Sequence, residues 1–145
     1  MLGGVAFMLA AISGHAVEPA GTVKVSRGKV LIERNGERIA APVGTAVLVA
    51  DRVRTGADGS VGVTLRDNTL LSAGSNSLIV IDKFLFDQTT QEGAMSVGIR
   101  KGTLSVASGK IAKRTPESVD FHTPTSVLGV RGTEFVVEVA GGDDE

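Results

Sequence analysis

Apolar side chains recur at every second position along most of the chain, and that period constrains the backbone more than any other feature. Val23 and Val25 alternate with Lys24 and Ser26, and Val61, Val63 and Leu65 alternate with Gly62, Thr64 and Arg66. Met95, Val97 and Ile99 repeat the pattern, as do Leu104 and Val106, Val119 and Phe121, and Phe135, Val137 and Val139. Successive strand side chains point to opposite faces, so period two marks half-buried strands. The uninterrupted apolar run at 78–81 suits a strand covered on both faces. Outside residues 1–17 no stretch sustains a 3.6-residue period, and no helix is predicted.

Turn residues punctuate these runs. Asn35-Gly36 separates Val30-Leu31-Ile32 from Ile39 and predicts a tight hairpin, because both residues tolerate positive φ. Asp58-Gly59, Asp67-Asn68, Gly74-Ser75-Asn76, Arg100-Lys101-Gly102 and Ser108-Gly109 read as further turns. The polar stretch 87–93 is the expected exposed loop, and 140–145 an acidic tail. The expected fold class is therefore all-β. Residues 56–63 and 74–80 both read as turn, serine, then buried strand. Such an echo fits a β-solenoid-like rolled sheet of short strands, with a β-sandwich or barrel as the alternative. There is no Trp or Tyr, and only four Phe follow residue 17, so Val, Leu, Ile and Ala must fill the core.

Residues 1–17 contain no charged side chain. Their apolar run, 5–12, matches the central region of a signal peptide and is shorter than the roughly 20 residues of a membrane span. Gly14-His15-Ala16 supplies small residues for cleavage, which predicts a signal peptide over 1–16, although no Lys or Arg precedes the run. An uncleaved anchor and a buried core segment are the alternatives. The chain holds 15 Lys+Arg against 16 Asp+Glu, without the clustered basic face of a nucleic-acid binder. The absence of Cys excludes disulfides and thiol chemistry.

Several pieces occur in one order: Ala50-Asp51-Arg52-Val53-Arg54-Thr55-Gly56, Asp58-Gly59-Ser60-Val61 and Leu65-Arg66-Asp67-Asn68-Thr69. Gly74-Ser75-Asn76-Ser77, Gly102-Thr103-Leu104, Thr123-Pro124 and Val130-Arg131-Gly132-Thr133-Glu134-Phe135 follow. In this order, over residues 21–139, they resemble the FecR domain of bacterial envelope proteins. The resemblance implies an all-β, solenoid-like periplasmic module. In the name-giving members it lies beyond a membrane helix whose cytoplasmic side controls an iron-uptake sigma factor, and it receives a signal from an outer-membrane receptor. This sequence has no cytoplasmic part before its leader, so it is expected to act as a stand-alone exported form that cannot itself relay to a sigma factor. Asp67-Asn68-Thr69 stands where Asp-Gly-Ser is more usual, a change Asn tolerates through its own left-handed preference.

The family-motif residues Thr55, Gly56, Ser60, Asp67, Ser77, Gly102, Thr123, Pro124, Arg131, Gly132, Thr133 and Phe135 are expected to be structural. Arg131 is expected to lock the last coil through carbonyls or a nearby acid, the other reading being a cation for a partner's carboxylate. Gly132 is expected to supply a geometry closed to other residues, and Thr133 to satisfy loose backbone groups. No catalytic, cofactor or metal residue is assigned. A catalytic His122 would need a nucleophile and an orienting acid brought to it in space; Asp120 two residues away shares its strand face without necessarily meeting it, and no Gly-x-Ser-x-Gly elbow occurs. Asp51, Asp58 and Asp67 lie on separate turns, each expected to cap its own. No Gly-rich phosphate loop opens a helix. The expected function is a non-catalytic periplasmic protein-interaction module. A domain associated with peptidoglycan or other glycan is the alternative, although sugar recognition commonly uses aromatic platforms. The expected partner is an envelope protein; nucleic acid is not expected, and membrane contact only through an uncleaved leader.

Overall fold

The computed structural model describes residues 18–129 and 133–140. The alternating runs form strands β1 Gly21–Arg27, β2 Val30–Arg34, β3 Glu37–Ala40, β4 Ala46–Val47, β5 Arg52–Thr55 and β6 Ser60–Leu65. β7 Leu70–Ala73, β8 Leu78–Phe86 and the long β9 Gly93–Ala107 follow. A helix, α1 Lys110–Arg114, and a 3-10 turn, Pro116–Ser118, lead to β10 Val119–His122, β11 Val127–Gly129 and β12 Glu134–Val139. The expected all-β rolled sheet is present: the strands form one curled sheet in which every pair is antiparallel except β9 with β10.

Four stretches of chain build the centre of that sheet, and each is bent once. β1 and β2 are joined through 28–29, β5 and β6 through 56–59, and β7 and β8 through 74–77. β9 bends within itself around 101–103. On one side of the bends β1, β6, β7 and the second half of β9 pair in that order. On the other side β2, β5, β8 and the first half of β9 do the same. The sheet is thereby folded into two wings. β4 and β12 flank the first wing, and β3 and β10–β11 flank the second.

The inner faces of the wings meet in one core. Val61, Val63, Leu71, Ala73 and Leu104 of the first wing and Val53, Ile79 and Ile81 of the second surround a void of only about 10 Å³. Interiors of this density tolerate little change of side-chain volume. The run 78–81 is buried throughout, as expected of a strand covered on both faces.

The Asn35-Gly36 hairpin forms with Arg34 opposite Glu37, and both turn residues have positive φ (53° and 79°). Of the expected loop 87–93, residues 87–92 are an exposed turn, and half-buried Gly93 already opens β9.

Two expectations are corrected. Arg100-Lys101-Gly102 is no turn, because β9 continues through it unbroken, although bent. Leu78 pairs with Lys101 and Ile79 with Ile99, so Arg100 is an extra, bulged residue beside Gly102 at φ 88°. A bulge next to a left-handed glycine bends a strand without ending it. α1 is also unanticipated. Its five residues bury only Ile111, too little to leave a helical period. Its place follows from the bend in β9, which brings both ends of that strand to the open mouth between the wings. There Thr115 Oγ1 donates to Gly93 O at 3.2 Å, and Ile111 fills the space above Gly93. From this mouth a short connection can enter β10 parallel to β9.

Candidate functional site

Four of the motif residues, Thr55, Gly56, Ser77 and Gly102, gather along the line of bends. Gly56 N donates to Lys29 O at 2.9 Å, linking the first bend to the second. Thr55, almost completely buried, links the second to the third: its Oγ1 donates to Gly74 O at 2.6 Å and accepts from Ser77 N at 2.9 Å. Backbone bonds from Thr55 N to Ser77 O and from Asn76 N to Gly56 O, both 3.0 Å, complete that step. Ser77, fully buried, links the third bend to the fourth, accepting at Oγ from Thr103 N at 3.0 Å. Gly74 N donates to Thr103 O at 3.1 Å. Thr55, Gly56, Ser77 and Gly102 are therefore consecutive contacts of one stack of corners. The echo between 56–63 and 74–80 has this origin: the two turns are neighbours in the stack. Ser60 opens β6 opposite Arg27 of β1, at the edge of the same region.

A buried hydroxyl with a donor and an acceptor both inside the protein is costly to remove, because each partner is left without water to replace it. Thr55→Val, which keeps the shape, is expected to lower stability by about 2 kcal/mol, and Thr55→Ser by about half as much. Chemical denaturation of the two variants checks this.

Asp67 anchors the opposite, open end. Its carboxylate is fully buried and accepts from Thr69 N (3.0 Å), Thr69 Oγ1 (2.9 Å) and Ile111 N (3.1 Å). Thr69 Oγ1 accepts in turn from Gly109 N at 3.2 Å. Asp67 thus caps its turn as expected and also holds α1 across the mouth. Asn68 between them has φ 70°, the left-handed geometry its side chain tolerates. Asp51, likewise buried, accepts from Leu48 N at 2.8 Å and takes both arms of Arg34 at 2.9 and 2.7 Å. That hydrogen bond is the first cause of the raised Arg34 pKa, which burial partly opposes. Asp58 departs from the expected own-turn cap: its carboxylate accepts from Lys29 N of the first bend at 3.3 Å, 29 residues away, because the two bends are stacked.

The closing segment is partly described. Thr123 Oγ1 accepts from Thr125 N and Ser126 N, at 3.3 and 3.1 Å, and forms the turn through exposed Pro124 into β11. Phe135 meets Phe121 edge to face, with centroids 5.1 Å apart, and so ties β12 to β10. Thr133 accepts from Ser108 N through its carbonyl at 2.7 Å. Arg131 and Gly132 lie outside the described residues.

His122 has closer company than its sequence neighbours suggested. Its Nε2 lies 2.9 Å from Asp82 of β8, and its Nδ1 3.3 Å from Asp120 and 3.4 Å from Ser96 Oγ of β9. Asp120 and His122 therefore meet, and Asp82 and Ser96 are members that only the pairing of β8, β9 and β10 could bring in. Ser96 Oγ donates to Asp120 at 2.8 Å. The two carboxylates sit on opposite ring nitrogens and cannot converge on one ion. No group of three metal-binding side chains is found among the described residues.

Beside this cluster β12 has a free edge, since among the described residues it pairs only with β9. A cleft of about 590 Å³ opens there, lined by Arg100, the 123–126 turn, Leu128 and residues 136–140. Val136 and Leu128 in it are 65% and 37% exposed, and Val127 next to it is 75% exposed.

The family model for FecR protein matches residues 51–145. The chain belongs to the FecR family. No curated protein and no solved structure matches it. The FecR match begins at Asp51, whereas the fold begins earlier: β1 and β2 supply the first of the four bent stretches. No helix among the described residues is long and apolar enough to cross a membrane.

Proposed function

We propose that this FecR-family domain is a non-catalytic protein-interaction module of the bacterial periplasm, contributing to envelope or iron-uptake signalling through a partner protein. The observation that carries the reading is the free edge of β12 beside an apolar cleft. An unpaired strand edge offers a row of backbone donors and acceptors, and a neighbouring cleft takes alternate side chains of an added strand. The apolar, uncharged leader supports export. The non-catalytic reading is supported at the His122 cluster, where Ser96 is turned toward Asp120 on a sheet face whose backbone donors are committed to strand pairing. For the glycan alternative the rings are in the wrong place: Phe84 and Phe121 are buried, and Phe86 and Phe135 are half-buried.

Photo-crosslinking in cells tests the reading, with a photoreactive amino acid at Val127 or Val136 and a control at Val25 on the first wing's outer face. A discrete protein adduct at Val127 and Val136 but not at Val25 is expected. Adducts to glycan strands alone, or the same adducts at all three positions, would refute it.

A further inference from the structure

The outer face of the second wing carries a basic groove that none of the corner contacts uses. It is about 560 Å³ in volume and open, and runs from the Asn35-Gly36 hairpin across β3, β2 and β5. Arg38 lies directly opposite Glu33, and Glu33 directly opposite Arg52, so the three share one face in a line across three strands. Arg54 shares that face two residues on. Three arginines thus line a groove that holds one carboxylate.

Glu33 does not satisfy all of them. It takes Arg54 Nε at 2.8 Å but stands 3.6 Å from Arg52 Nε, which is buried without a hydrogen-bond acceptor. Arg38 is exposed and has no acid within ion-pair distance among the described residues. Lys29 continues the strip beyond Arg38 and Arg54 toward the corner at Gly56.

We propose that this groove binds an extended acidic peptide segment through its carboxylates. The spacing of the cations selects that ligand. Arg52 and Arg54 are two residues apart on one strand, about 6.6 Å, which is also the repeat of side chains on one face of an extended peptide. Carboxylates at alternate positions therefore meet both guanidinium groups, each of which presents a planar fork to a carboxylate. One phosphate cannot span that distance, and a groove recessed beside a hairpin does not lie flush on a bilayer. The groove shares no lining residue with the β12 cleft, so the proposal stands independently of the one above.

Fluorescence anisotropy with the full chain and labelled hexapeptides tests it. One peptide alternates Asp with Ser; a second has the same composition with its three Asp adjacent, so that an extended backbone turns them to opposite faces. The alternating peptide is expected to bind tighter. Arg38→Gln, at an exposed position that leaves the fold intact, is expected to weaken it about tenfold, and Arg54→Gln similarly. Glu33→Gln, which removes the competing carboxylate, is expected to strengthen it several-fold. Equal binding of the two peptides, or no change with Arg38→Gln, would overturn the proposal. So would stronger binding of inorganic phosphate or of vesicles containing anionic phospholipid.

Discussion

Gly102→Ala is expected to destabilise the domain by about 3–5 kcal/mol. Two costs combine. The backbone at Gly102 has φ 88°, a region closed to most side chains. A Cβ there would also fall within 2.5 Å of Ser77 Cα and 2.6 Å of Ser77 Cβ, overlapping Ser77 Oγ as well. Ser77 cannot withdraw, because its hydroxyl holds Thr103 N and its amide is held by Thr55. Gly36→Ala separates the two costs: Gly36 has φ 79° but nothing within 4 Å of an added Cβ. It is expected to cost only about 1 kcal/mol, the conformational part alone. Thermal melts should place Gly102→Ala roughly 10–20 °C below the wild type and Gly36→Ala within a few degrees of it. Equal shifts would mean that the corner contact contributes nothing.

Asp67→Ala should be nearly as damaging, at about 3 kcal/mol, and its effect should be local as well as global. Ile111 N and Thr69 N lose their acceptor at a site without exposure to water, and α1 loses its side-chain anchor, keeping only Lys110 N on the carbonyl of residue 67 (2.8 Å) and Gly109 N on Thr69 Oγ1 (3.2 Å). Ile111, fully buried over Gly93, would then open to solvent with the helix. Trypsin reads this directly, since Lys110, Lys113 and Arg114 all lie in α1. The variant is expected to be nicked there under conditions in which the wild type is not. Asp67→Asn keeps one acceptor oxygen and should fall between the two. Wild-type resistance in Asp67→Ala would show that packing and the remaining bonds of Lys110 N and Gly109 N hold α1 without the carboxylate.

Much of the sheet was legible from the chain because period two and turn residues are local signals. The alternation located the strands, Asn35-Gly36 fixed its hairpin, and the apolar run 78–81 marked the strand buried on both faces. Illegible features all depend on distant pairing. Arg100-Lys101-Gly102 has the composition of a turn; it is a bend within one strand because β9 pairs with β8 before it and with β7 after it. Asp51 and Asp67 look like ordinary turn acids until Arg34 and Ile111 are brought to them, from 17 and 44 residues away. α1 has one buried residue in five and leaves no period. Asp82 and Ser96 join His122 only through the order of β8, β9 and β10. The Arg38–Arg52–Arg54 groove was equally hidden, since in sequence those arginines are interspersed with acids and with inward-facing Val53.

The central claim is that the FecR-motif residues Thr55, Gly56, Ser77 and Gly102 hold the folded sheet together at its stacked corners. Native-state hydrogen exchange tests it most directly, because corner amides in turns ordinarily exchange through small local openings. The amides of Thr55, Gly56, Ser77 and Thr103 are predicted to exchange as slowly as those of the core residues Val63, Ile79 and Leu104, opening only with global unfolding. Exchange at these four amides through local opening, well ahead of the core, would contradict the account.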